Sequence, residues 1–230
     1  MPLRFSPKAI AFLRALKRNN DRAWFKARKE QYELLLRAPL IEVIDQLAKD
    51  FRSFAPDVVA HPKTSIYRIY RDTRFSENKA PLKTNVAAVF PCRGLGKHQG
   101  AGLYFEIAHD WVWAGGGMYA PDTSQLQAVR EHISTNHRRV RTIVESPAFK
   151  RQVGTLEGER LQRVPRGFAK DHPAADLLKH RQFLAGREFP AAFASSPSFY
   201  PDLLKVFKTI APLVAFLNEP LTENSRRVRL

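Results

Sequence analysis

A single cysteine, Cys92, stands in a chain of 230 residues, so no disulfide can close within it. That suits a reducing compartment and removes the disulfide frameworks of small secreted domains. The stretch from Met1 to Lys8 has no apolar core of signal-peptide length, and nowhere do apolar residues approach the ~18 that a membrane span needs. The expectation is a cytoplasmic protein with no membrane partner. Metal-ligand spacing is missing as well. The seven histidines make no His-Glu-x-x-His arrangement, and His132 and His137, five apart, turn about 140° away from each other on a helix. The glycine spacing of dinucleotide and phosphate-loop sites is lacking, and so is a Gly-x-Ser-x-Gly elbow. No metal and no cofactor are expected.

Acidic residues are scarce. Against 38 Lys and Arg there are 22 Asp and Glu, a formal net charge of +16. The excess is +5 over residues 1–60, +4 over 61–120, +4 over 121–180 and +3 over 181–230, so no tail carries it. Such a field favours anionic partners (nucleic acid, an anionic membrane surface or a phosphorylated small molecule) but is equally the mark of a solvated Lys/Arg surface. The 44% apolar and 11% aromatic content is that of a globular chain, and the length suits one domain.

The pattern along the chain is helical over 1–55, a strand meander over 63–118, helical again over 122–218 and a tail over 219–230. Ser6-Pro7 opens a first helix with Ser6 as cap and Phe5 and Ile10 as a hydrophobic staple. A second helix follows Asn20 or Asp21, and Pro39 interrupts it to start a third. Ser65–Tyr70, Val86–Phe90, Leu103–Ile107 and Trp111–Ala114 read as strands, with His109-Asp110 as a tight turn and Gly115-Gly116-Gly117 ending the last. Asp122 and Gln125 make a capping box. Helices are expected at Pro147–Val153, Pro173–Lys179 and Asp202–Phe216, and an edge strand at Gln182–Phe189. This order gives an α+β fold whose antiparallel sheet has four to six strands, drawn from residues 65–120 and from 182–189.

Residues 67–84 carry the densest chemistry. Arg68, Arg71, Arg74, Lys79 and Lys83 fall within one strand-loop-strand unit, with Tyr70, Thr73, Ser76 and Thr84 as hydroxyl donors. Guanidinium forks match phosphate and carboxylate oxygens two at a time. In an extended segment, however, Arg68 and Tyr70 share one face while Ile69 and Arg71 share the other, so the cations need not converge. The competing reading is structural, with Asp72 pairing Arg71 or Arg74 inside an ion-pair network.

Four segments also resemble a widespread bacterial and fungal family of conserved hypothetical proteins, a domain of unknown function. They are Phe12-Leu13, Leu16, Asn19-Asn20, Arg22, Trp24-Phe25 and Tyr32; Arg71-Asp72-Thr73-Arg74-Phe75-Ser76 with Lys79, Pro81 and Lys83-Thr84; Gly115 to Pro121; and Pro165-Arg166-Gly167 with Asp171-His172-Pro173. Leu82 departs from that pattern, which places an aromatic there. The resemblance implies a single domain over the whole chain and supplies no activity.

Other candidates are weaker. Asp171-His172-Pro173 offers a carboxylate beside an imidazole, yet reads more simply as a helix cap, and with Asp72 it exhausts the acid–base candidates. Cys92 beside Arg93 is a candidate activated thiol without a fixed partner. The glycine run reads as close packing of strands. Trp24, Phe25 and Tyr32 amid basic residues make either a face for single-stranded nucleic acid or a helix core, and Trp111 and Trp113 read as packing on a helix. Three readings follow. The first is a binder of a phosphate- or carboxylate-bearing small molecule through Arg68, Arg71, Arg74, Lys79, Lys83 and Thr84. The second is a nucleic-acid-binding protein, and the third a structural protein built on an Arg-Asp network.

Overall fold

The computed structural model describes residues 3–227. Helix α1 (Pro7–Arg18) carries Pro7 in its first turn, where a missing N–H costs nothing, and buries Ile10, Leu13 and Leu16. Ser6 precedes it in extended form but makes no side-chain cap bond; buried Phe5 packs edge-on to Phe199 at 5.6 Å instead. Asp21 caps α2 (Arg22–Lys26), accepting from the Trp24 N–H at 2.8 Å. Pro39 does not interrupt the next helix. Helix α3 (Lys29–Tyr32) runs through a π turn at Glu33–Arg37 into α4 (Ala38–Phe54). Proline lacks an N–H and crowds the carbonyl four residues back; a widened turn just before it relieves the crowding, so the helix continues.

The expected strand at 65–70 is not one. A helical turn, α5 (Pro62–Ser65), leads into single bridges from Ile66 to Ala88 and from Tyr70 to Leu82. Strands β1 (Asn85–Pro91), β2 (Gly102–Ala108) and β3 (Trp111–Met118) then form an antiparallel meander, turning at His109-Asp110. After the helices between, β4 (Phe183–Pro190) pairs with β3 as an edge strand, in the order β1-β2-β3-β4. The fold is thus α+β with a four-stranded antiparallel sheet between N- and C-terminal helices. The three glycines lie inside β3 and do not end it. A Cβ on Gly117, whose φ is +124°, would stand 1.9 Å from the Phe183 carbonyl oxygen, so β4 can approach only a glycine.

The capping box at Asp122 and Gln125 opens α6 (Thr123–Thr135). It is followed by α7 (His137–Val144), which no sequence signal singled out, by α8 (Pro147–Val153) and by α9, shortened to Ala175–Leu178. Helix α10 (Phe199–Arg227) is longer than expected. It crosses Pro212 and Pro220 and takes in most of the presumed tail, because buried Leu213, Phe216, Leu217 and Leu221 hold it against its neighbours past the lost hydrogen bonds. Residues 228–230 of that tail lie outside the described residues. Among the described residues no helix is long and apolar enough to cross a membrane.

The helices cover one face of the sheet. Val86, Ala88 and Phe90 of β1, Leu103, Phe105 and Ile107 of β2, and Val112 and Ala114 of β3 are buried there. Phe207 of α10 meets Phe90, Phe105 and Phe51 of α4 with ring centres 5.9, 6.5 and 6.0 Å away. Asn218 fastens the same helix to the start of β2, its amide accepting from Ala101 N–H at 2.8 Å and donating to Ala101 C=O at 2.9 Å. Phe207→Ala should lower the unfolding free energy by about 3–5 kcal/mol in a denaturant titration, the cost of an aromatic-sized cavity.

Candidate functional site

Alternation along each strand sends every second side chain to the face the helices do not cover. That face forms the floor of a cavity of about 790 Å³. Asn85, Tyr104, Glu106, Trp111 and Trp113 line it from the strands, and Tyr67, Arg71, Lys83 and Thr84 from the 67–84 segment. Trp111 and Trp113 therefore face a cavity and not a helix. Val112 and Ala114 take the helix side, and the two tryptophans are left on the other.

The 67–84 segment is held over the sheet by backbone bonds. Arg71 N–H donates to Pro81 C=O at 2.9 Å, Lys83 N–H to Ile69 C=O at 2.8 Å, and Tyr67 N–H to Ala87 C=O at 3.1 Å. Asn20, between α1 and α2, clips the returning strand by donating to Leu82 C=O at 2.9 Å and accepting from Leu82 N–H at 3.0 Å. Leu82 is buried and forms part of the cavity wall.

This scaffold divides the cations. Ile69 and Arg71 turn inward together; Arg68 and Tyr70 point out. Arg71 is half-buried, donating to Ala80 C=O at 3.2 Å and to the Ser76 hydroxyl at 3.3 Å. Lys83 is half-buried and sits over the Tyr67 ring at 4.6 Å, with Lys97 4.9 Å from the same ring. Arg74 lies on the exposed loop and is taken by Asp72, with contacts of 2.7 and 3.0 Å, while Lys79 donates to Thr73 C=O at 3.1 Å. So Arg71, Lys83 and Thr84 reach the cavity, and Arg68, Asp72, Arg74 and Lys79 do not line it. The Asp72–Arg74 pair is at the surface and cannot serve as a buried ion-pair network. Its bonds to Arg74 hold the Asp72 carboxyl below the usual carboxylate range.

Two further candidates stand apart from the cavity. His172 bonds to a nearby backbone N–H, as the cap reading expected. Its Nδ1 accepts from Ala174 N–H at 3.0 Å and its Nε2 lies 3.0 Å from the Ser134 hydroxyl of α6, away from the cavity. Cys92 is buried, and that burial pushes its thiol pKa up, the opposite of activation. Phe25 and Tyr32 are buried with Phe12, and Trp24, partly buried, packs against them with the Arg28 guanidinium 4.5 Å over its ring.

Glu106 was missed from sequence. It stands mid-strand on the cavity floor and accepts hydrogen bonds from the Asn85 amide and the Tyr104 hydroxyl. Burial, more than the nearby carboxylate, keeps the Tyr104 phenol protonated well above its ordinary range. Alternation puts this carboxylate on the same face as Tyr104, but sequence alone does not tell that this face is covered. Trp113 lies flat on the sheet. A Cβ on Gly186 would come within 2.2 Å of its ring and one on Gly115 within 2.4 Å, so only glycines leave room for it.

Burial depresses the Lys83 pKa first; Arg68, Lys97 and Arg71 add to this, and Glu106 opposes them. Glu106 is the largest of the charges that act on this lysine, and three cations act against it. A family model for conserved hypothetical proteins, DUF2461, matches residues 8–216. The chain belongs to that family. No curated protein and no solved structure matches the chain. The DUF2461 span contains every residue that lines the cavity, from Asn20 to Leu184.

Asp72→Ala should leave the thermal unfolding midpoint unchanged within error, as the pair it breaks is exposed. Gly186→Ala should lower that midpoint and shift the tryptophan emission, and combining it with Trp113→Ala should restore part of the loss in a double-mutant cycle.

Proposed function

We propose that the cavity on the open face of the sheet binds a small molecule bearing a phosphate or carboxylate, with Arg71, Lys83 and Thr84 holding the anionic group. The observation that carries this reading is the gathering of cations at one end of the cavity, where Lys83 and Lys97 lie 4.6 and 4.9 Å from the Tyr67 ring and Arg71 lines the same wall. Keeping an ammonium partly out of water beside other cations is unfavourable in the empty protein, and a bound anion would relieve it. Size agrees, since small-molecule pockets run to roughly 300–1,000 Å³ with apolar walls and a few convergent polar groups. The nucleic-acid reading rests on the +16 charge, and of the three rings that would have served it Phe25 and Tyr32 are turned into the core.

A thermal-shift panel of pyrophosphate, sugar phosphates, dicarboxylates and short oligonucleotides, each at low and moderate salt, tests the proposal. A ligand at 100 times its dissociation constant adds ~2.7 kcal/mol, a rise of roughly 5–11 °C at this chain length. The rise should survive added salt and disappear in Arg71→Ala and Lys83→Met. Lys83→Met should itself fold at least as stably as the parent, because it removes a desolvated cation. No shift with any small anion would refute the proposal, and a shift with oligonucleotides only, lost in salt, would favour nucleic acid.

The pH dependence follows from the sign of the lysine shift. Lys83 is charged below its pKa, and that pKa is lowered. Anion affinity measured by calorimetry should therefore fall as pH rises, with a midpoint below the ordinary lysine value.

A further inference from the structure

We propose that the ligand of this cavity is a phosphorylated nitrogen heterocycle, its flat ring stacked on Trp113 and its N–H edge turned to Glu106, with the phosphate at Arg71 and Lys83. The proposal rests on the anion-binding reading above and names the rest of the molecule.

Three observations lead to it. First, the floor has a prepared aromatic surface. One face of Trp113 lies on the backbone of Gly115 and Gly186, where a Cβ would stand 2.4 and 2.2 Å from the ring, and the ring lines the cavity. The opposite face is what a ligand meets. Tyr104 stands beside it at 5.9 Å and Tyr67 beside Tyr104 at 6.2 Å, so the aromatic wall runs from Trp113 toward the Lys83 end, where that lysine sits 4.6 Å over Tyr67. Stacking on such a surface suits any planar base.

Second, Glu106 excludes an anion from the floor. Its two hydrogen-bond partners, Asn85 and Tyr104, are both neutral, so its negative charge remains. A carboxylate has about four lone-pair sites, which leaves acceptor capacity for N–H donors of a ligand. The ligand is thus two-ended: a donor edge at Glu106 and an anion at the cations.

Third, much of the remaining wall is apolar, with Ala87, Val89, Ala108 and Leu184 among its residues, and of its polar side chains Asn20, Asn78, His98 and His109 already bond within the protein. A sugar ring with hydroxyls on every side would leave several of them without partners there, at a cost that a flat heterocycle avoids. This favours a nucleotide-like ring over a sugar phosphate alone.

The test is calorimetric titration of the full chain with guanosine 5′-monophosphate, phenyl phosphate and ribose 5-phosphate. Stacking is worth about 1–3 kcal/mol per base, so both ring compounds should bind about 5- to 150-fold more tightly than ribose 5-phosphate. Trp113→Leu should bring phenyl phosphate down to the ribose 5-phosphate value, weaken the nucleotide by a similar factor and leave ribose 5-phosphate unchanged. Glu106→Gln should weaken the nucleotide and not phenyl phosphate, which has no N–H. Should Trp113→Leu fail to fold by circular dichroism, Trp113→Phe serves, with an intermediate loss expected for the ring compounds alone. Ribose 5-phosphate binding as tightly as the ring compounds would overturn the heterocycle and leave the anion site standing. Equal weakening of the nucleotide and phenyl phosphate in Glu106→Gln would overturn the role of Glu106. Binding of none of the three would overturn both readings together.

Discussion

An antiparallel sheet with helices against one face has to do something with the other, and the architecture turns on that constraint. Strand alternation leaves no choice about which residues it concerns. Once Val112 and Ala114 face α10, Trp111 and Trp113 must face away, and once Phe105 and Ile107 are buried, Tyr104 and Glu106 lie opposite. In many proteins such a face is solvated and polar. Here the 67–84 segment is pinned above it by Asn20 and by irregular pairing with β1, which turns an open face into a walled cavity. The cavity is therefore a product of the core: the packing of Phe207 on Phe90 and Phe105 decides which side chains are left over to line it.

The glycines of β3 and β4 belong to the same logic. In a strand interior glycine weakens the pairing and contributes no side chain to a core, so its presence calls for a steric reason. Gly117 supplies one through its φ and the nearness of Phe183; Gly115 and Gly186 supply another, since a ring the size of tryptophan can lie along the sheet only above residues without a Cβ. Gly115 and Gly186 therefore spend strand stability on the posture of one side chain.

Much of the fold could be read in the sequence because its signals were local. The capping box at Asp122, the proline at the start of α8, and the runs at 86–90 and 103–107 each state their structure within a few residues. What failed depended on the surroundings. Pro39 and Pro220 break an isolated helix, but packing of the flanking residues carries these two helices through. Ser65–Tyr70 has strand composition yet makes only single bridges. The site divided the same way. Inward placement of Arg71 with Ile69 followed from alternation, whereas the exclusion of Arg74 and Lys79 depended on loop bonds to Asp72 and Thr73 that spacing does not encode. Glu106 and Trp113 escaped because a lone carboxylate or ring in a strand has no motif. Only the side of the sheet that it occupies makes it significant.

Charge gives the last step. A chain of net charge +16 can place lysines almost anywhere in water at little cost, so exposed Lys79 and Arg68 need no explanation. Lys83 is different. It sits partly buried among Arg68, Arg71 and Lys97, and the Glu106 carboxylate that offsets them is itself shared between an amide and a phenol. A methionine at that position would fill comparable space without the desolvation penalty. The cation is then an unfavourable element of the unliganded fold, which Glu106 offsets only in part. Opposite charges in one largely apolar, aromatic cavity suit a partner that is itself two-ended, and the carboxylate among the cations separates this cavity from the basic surface around it.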